Sequence, residues 1–159
     1  MDNFEKDYED LPLYKKAEEI YNIVREIAAL VPEEDEQLQF MVSQMLTDAM
    51  IIPAKIAGAE GGDIYSIRME NAAIIRKAAN DLLVVEHSFK MFGFEYVEYF
   101  YLVRDRIEEF RLLFIEWVES FDKWNYIIDR WGLFNPPGVG PHDHDPDDDI
   151  PWDRSELDD

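Results

Sequence analysis

The sequence predicts an all-α fold, an antiparallel up-down four-helix bundle followed by a disordered acidic C-terminal tail. Three observations carry this prediction. Apolar residues recur every three or four positions in four separate stretches, the period of a helix with one buried face. Each stretch is closed by a proline or a glycine, residues that cannot continue a helix or that terminate it easily. Beyond residue 134 the chain turns rich in Asp and Pro and poor in apolar side chains, so it cannot bury enough surface to offset its ordering entropy. The expected organisation is a flexible acidic N-terminus over residues 1–11, the bundle over 12–134, and a Pro/Gly linker with an Asp-rich tail over 135–159. No internal repeat is visible.

In the lead-in, Phe4 and Tyr8 are candidate aromatic anchors. Asp10 is placed to cap helix one, with Pro12 in the first turn, where its missing N–H costs little. Helix one is expected over residues 12–31, with Leu13, Ala17, Ile20, Val24, Ile27 and Val31 as its seam, and Pro32 stops it. Residues 33–36 are all acidic, which suits the positive end of helix two, expected over 34–58. Its stripe is Leu38, Met41, Met45, Ala49, Ile52 and Ile56, and Pro53 inside it predicts a kink. Helix three is expected from an Asp63 or Ser66 cap to about residue 92, with the seam Ile67, Asn71, Ile74, Ala78, Leu82, Val85, Phe89 and Phe92. Gly93 then follows as a left-handed stop. So short a link makes helices three and four antiparallel neighbours. Helix four is expected over 96–131 with the seam Phe100, Val103, Ile107, Phe110, Phe114, Trp117, Phe121, Trp124 and Ile128, and it would span about 54 Å. A second apolar row, Tyr99, Leu102, Leu113, Trp117, Trp124 and Ile127, suggests a contact beyond the bundle core and makes these residues the candidate oligomer interface.

The 36 acids against 15 Lys and Arg give a formal charge of −21. Residues 135–159 contribute nine acids and one Arg, so the remainder is acidic on its own account at −13. Phosphate backbones are bound by neutralising them with cations, so this surface disfavours DNA and RNA; it reads as a feature that keeps the protein soluble or, alternatively, as a face for a basic protein partner. There are no cysteines, which fits a reducing compartment. The N-terminal residues are acidic rather than signal-like, and no apolar run is long enough to span a bilayer, so a cytoplasmic protein without membrane attachment is expected.

Residues 43–61 read SQMLTDAMIIPAKIAGAEG, and a helix opens near residues 11–14 ahead of an acidic turn. On these features residues 11–122 resemble the four-helix-bundle proteins related to the 23S rRNA intervening-sequence protein. Pro53, Ile56, Ala57, Glu60 and Gly61 are the matching motif positions. The resemblance implies an up-down bundle that often assembles as a ring-shaped pentamer. A related group, the accessory variability proteins of diversity-generating retroelements, binds a reverse transcriptase and nucleic acid through a basic surface. Thr47 and Asp48 stand where that pattern carries basic residues, and residues 123–159 lie outside it.

Little in the sequence supports catalysis. A di-iron bundle needs Glu-x-x-His pairs facing inward, whereas Glu86 directly precedes His87 and both fall off the seam. His142, Asp143, His144 and Asp145 carry donor types that bind zinc, nickel or copper, but the tail is expected to be floppy and no metal site is assigned. Glu60 reads either as a polar contact at a subunit interface or ligand niche, or as a turn carboxylate paired with Lys55 or Arg68. Arg104, Arg106 and Arg111 interleave with Glu108 and Glu109 as surface ion pairs, and Asn71 suits a seam position that sets register. Without a Gly-rich phosphate loop or a Ser/His/Asp set, no enzymatic activity and no cofactor are expected. The chain reads as a non-enzymatic oligomeric scaffold or adaptor that binds a protein partner. The alternative is a nucleic-acid-associated accessory factor of a reverse transcriptase or a ribosomal RNA locus.

Overall fold

The computed structural model describes residues 7–145. The expectations placed on Phe4 and on tail disorder beyond residue 145 lie outside the described residues. Four α-helices follow one another: α1 (Pro12–Ala29), α2 (Glu36–Glu60), α3 (Tyr65–Met91) and α4 (Phe100–Glu119). Short 3-10 turns precede α1 (Asp7–Asp10) and α4 (Val97–Tyr99), and no strand occurs among the described residues. α1 packs against α2 and α4, α2 against α3, and α3 against α4. Lys16 meets Glu109 at 2.6 Å and Glu19 meets Arg106 at 3.4 Å, so numbering rises along α1 as it falls along α4.

Every predicted seam residue of α1 and α2 is buried, because in both helices each core position is apolar. The helix starts differ from expectation for local reasons. Asp10 is part of the 3-10 turn, so the extended capping conformation falls on Leu11, which offers no side-chain acceptor. Asp35 is the cap of α2 rather than a residue within it, its Oδ1 accepting the Leu38 N–H at 3.1 Å. α2 runs through Pro53 and past Gly58 to Glu60.

The seam of α3 corrects the predicted one. Its first half buries Tyr65, Arg68, Ala72 and Ile75, whereas Ile67 and Ile74 are exposed and Asn71 is half-buried. Asn71 donates to the Ile67 carbonyl of its own helix at 3.0 Å and does not act as a core register residue. An apolar template skips a position held by arginine and settles on the adjacent isoleucines. Here Glu60 neutralises Arg68 at 2.6 Å, and that pairing makes a guanidinium acceptable at a core position. Neither Asp63 nor Ser66 caps α3; the extended residue is Ile64.

α3 ends as expected at Gly93, whose φ of +80° is a conformation that glycine adopts without a Cβ penalty. The Gly93 N–H bonds the Lys90 carbonyl at 3.2 Å and the Phe94 N–H reaches back to the Phe89 carbonyl at 3.0 Å, a Schellman closure. The rings of Phe89 and Phe94 meet at 5.5 Å across that closure, and Phe100 joins them at 5.2 Å from Phe89. This aromatic knot turns the chain into α4. Among the described residues no helix is long and apolar enough to cross a membrane.

Candidate functional site

α4 stops at Glu119, twelve residues before the predicted end at Trp131. Ser120 folds its hydroxyl onto the Trp117 carbonyl at 2.5 Å, and Asp122 Oδ1 accepts the Trp124 N–H at 2.9 Å. Ser and Asp offer the backbone local partners that compete with the helical ladder. Phe121 stays buried, edge-on to Trp117 at 4.8 Å, so the chain leaves the helix pinned to the bundle end.

From there the chain crosses to the start of α3. The Asn125 carbonyl accepts the Tyr65 N–H at 2.8 Å, and the Ile127 carbonyl accepts the Ser66 hydroxyl at 3.4 Å. An orphan donor at the first turn of α3 is thus satisfied by main chain from the exit segment. Ile128 is buried. Next, the Asp129 carboxylate collects three backbone donors, Trp131 at 2.9 Å, Leu133 at 2.9 Å and Phe134 at 2.8 Å. The Phe134 N–H, with help from those of Trp131 and Leu133, holds this carboxyl below the usual carboxylate range. Asn135 exchanges two hydrogen bonds with the Asp129 main chain, at 2.7 and 2.9 Å, and Gly132 makes the tight turn at φ +75°. Arg130 holds the Pro141 and Asp143 carbonyls at 3.0 and 2.8 Å, so residues 135–143 lie against this loop.

The loop so organised presents apolar surface to solvent. Trp131 is 90% exposed and Leu133 75%, with the exposed Ile127 and, from α3, Ile67 lining the same recess; Trp124, 91% exposed, precedes them on the same segment. A cavity of about 410 Å³ opens there, lined by Ile67, Ile127, Trp131, Leu133 and Phe134. The Asp129 and Asn135 side chains are spent on internal bonds, and the recess places the apolar Ile67, Ile127, Trp131 and Leu133 beside the polar Ser66 and Glu70 of α3.

The six residues of the predicted interface do not form one row. Trp117 is only 7% exposed, and its indole N–H donates to Glu60 Oε1 at 2.7 Å, so it belongs to the core and not to an outer surface. Leu102 and Leu113 are half-buried. Tyr99 is exposed but lies at the opposite end of α4, stacked with Tyr96 at 6.1 Å. Trp124 and Ile127 alone reach the exit surface, on irregular chain and not on a helix. Trp131, Leu133 and Ile67 complete it, and a helical template had no way to group them. The turn-forming residues Ser120, Asp122, Asn125 and Asp129 were the signal that a helix ended there.

Of the family-motif positions, Ile56 is fully buried, Pro53 and Ala57 are half-buried toward α1, and Gly61 follows the last turn of α2. Glu60 is the turn carboxylate paired with Arg68; it binds Arg68 and Trp117 through the same oxygen. Arg68 is 8% exposed, lies 4.4 Å over the Phe121 ring and donates to the Gly62 carbonyl at 3.3 Å. On the outer face Arg111 pairs with Glu108 and Arg106 with Glu109, as helical spacing predicts. Arg104 instead reaches Glu86 on α3. His87, His142 and His144 are exposed, and among the described residues no three His, Asp or Glu side chains converge on a metal position. In comparison with known proteins, no family model, no curated protein and no solved structure matches the chain.

Proposed function

We propose that this chain is a non-enzymatic scaffold, an up-down antiparallel four-helix bundle that self-associates through the exit surface and presents an acidic exterior to a basic protein partner. One observation supports the reading: two tryptophans stand nine-tenths exposed on the chain after α4, where Asp122 bonds the Trp124 N–H and Asp129 bonds those of Trp131, Leu133 and Phe134. Exposed tryptophans on ordered chain are costly to hydrate and typical of interface anchors. The pair offers about 400 Å², half of the ~800 Å² that each partner of a standard interface contributes. Leu133, Ile127 and Ile67, with the adjoining cavity, extend the same patch. The resemblance to the intervening-sequence proteins makes a pentameric ring the stoichiometry to test. A net charge of −21 per chain opposes any assembly, so the interface must be apolar and must strengthen as salt screens the repulsion. The same charge disfavours the reading as a nucleic-acid accessory factor, and the absence of cysteines suits a cytoplasmic setting.

Light scattering at low and at about 0.5 M salt tests the assembly. The expected result is an oligomer of the 18.8 kDa chain that tightens with salt, and a monomer of unchanged helicity when Trp124→Ser and Trp131→Ser are combined. A wild-type monomer at both salt levels and micromolar concentration would overturn it. Gel shift with RNA and DNA at low salt, where phosphate binding is strongest, is expected to show no complex; a saturable complex would move the assignment to the accessory-factor reading.

A further inference from the structure

The α1–α2 side of the bundle carries a second recess, and its chemistry differs from that of the exit surface. It is a groove of about 500 Å³ whose α1 wall is Tyr14, Glu18 and Tyr21. These sit at positions i, i+4 and i+7 and so share one helix face. Met50, Pro53 and Ala57 of α2 form the facing wall, and Tyr8 closes one end, edge-on to Tyr14 at 5.0 Å. All three tyrosines are half-buried: packing holds each ring while part of its surface stays open to the groove.

Seven helical residues advance about 10.5 Å. A cation seated on this face is bordered by the Tyr14 and Tyr21 rings, to either of which it is attracted within the ~6 Å range of cation–π contact. Glu18 stands between them on the same helix face. Tyr21 already receives a cation within the chain, the Arg25 guanidinium lying 5.6 Å from its centroid. Acidic groups gather at the Tyr14 end, whose phenol is pushed up by burial first, then by Glu18, Tyr8 and Glu9. An uncharged side chain would forgo both the cation–π attraction and the charge–charge attraction to Glu18.

We infer that the tyrosine groove binds a cationic side chain of a basic polypeptide, with N-trimethylated lysine as its best ligand. A quaternary ammonium sheds water more cheaply than a primary one and retains the attraction to the rings. The overall charge of −21 raises the encounter rate with such a partner. The inference deepens the partner-binding half of the proposed function. It does not need the self-association half, because the groove uses α1 and α2 whereas the exit surface uses α3 and the chain after α4.

The test is calorimetry of the full chain with three short Gly/Ser peptides that differ in one central side chain: trimethyllysine, lysine, or the neutral tert-butyl isostere of trimethyllysine. Trimethyllysine should bind most tightly and the neutral isostere at least about fivefold more weakly. Tyr14→Leu and Tyr21→Leu should each lower affinity about three- to fivefold, while Tyr14→Phe and Tyr21→Phe, which keep the ring, stay within about twofold. Glu18→Gln should weaken binding more than Glu34→Gln, which removes the same charge elsewhere. Repeating the titration on the combined Trp124→Ser and Trp131→Ser chain separates the two readings, and binding should persist there whether or not assembly does. Equal binding of the neutral isostere, leucine variants that bind like wild type, equal loss in the two glutamine variants, or no binding up to about 1 mM would each overturn the inference.

Discussion

A guanidinium occupies a core position of α3 only because a carboxylate faces it. Arg68 gives its two terminal nitrogens to Glu60 and to the Gly62 carbonyl, while its Nε has no partner. Removing Glu60 would leave that charge only the exposed Asp63, 3.7 Å away, and would free the Trp117 indole N–H at once. Glu60→Ala is therefore expected to cost about 2–3 kcal/mol in urea unfolding. Arg68→Met added to it should restore part of the loss, since an apolar chain of similar length suits the ring-lined site. Asp48 is the opposite case. Burial, and then the facing Asp81, push its carboxyl up, with Lys77 opposing. A raised carboxylate is disfavoured in the folded state, so stability rises as pH falls through the folded value. Asp48→Asn is expected to melt higher than wild type at pH 7, with the gap closing in mild acid.

Between the end of α4 and residue 135 the elements are held by side chains that bond the backbone. Asp129→Ala removes the acceptor of three N–H groups while leaving the bundle core intact. Faster hydrogen exchange at Trp131, Leu133 and Phe134 should result, with the global melting temperature nearly unchanged. The pH dependence follows the sign of the shift. A depressed carboxyl stabilises above its unfolded value, and that contribution is lost as pH falls through the folded one, so the loop should loosen only in acid below the ordinary Asp range. Lys123 tests where α4 ends. The Asn125 N–H bonds the Asp122 carbonyl at 3.4 Å, which places Lys123 second in a turn, a position that favours proline. Lys123→Pro should stay within ~1 kcal/mol of wild type, whereas proline within the predicted 36-residue helix would cost about 3 kcal/mol or more.

At the scale of the whole molecule, charge sets conditions that no single contact overrides. The cations Lys16, Arg104, Arg106 and Arg111 are tied to carboxylates between or along helices, yet acids outnumber bases by 21. Self-repulsion of this kind destabilises the compact state and weakens with ionic strength. The combined Trp124→Ser and Trp131→Ser chain, in which assembly is removed, is expected to melt higher in about 0.5 M salt than at low salt. A melting temperature independent of salt would show that the charges are too dispersed to matter to folding.

The periodic seams of α1 and α2, the Gly93 stop and the four-helix count were legible in the amino-acid sequence, because each rests on near-neighbour rules of spacing and backbone freedom. The rotated seam of α3 was not, since the sequence offered Arg68 as one of two partners for Glu60 but gave no sign that this pair takes a core position. Nor was the end of α4. Its apolar spacing continues through Trp117, Phe121, Trp124 and Ile128 and masks the turn-forming Ser120, Asp122, Asn125 and Asp129, so the sequence by itself determined which positions are apolar but left two readings of where the helix ends. Tertiary structure decided which of them are buried: Tyr65 and Ser66 offered hydrogen bonds to chain leaving the helix, and that chain folded across α3 instead of extending along its own axis. The physical reason is that burial depends on what lies opposite, and the facing residue is brought there by the rest of the fold.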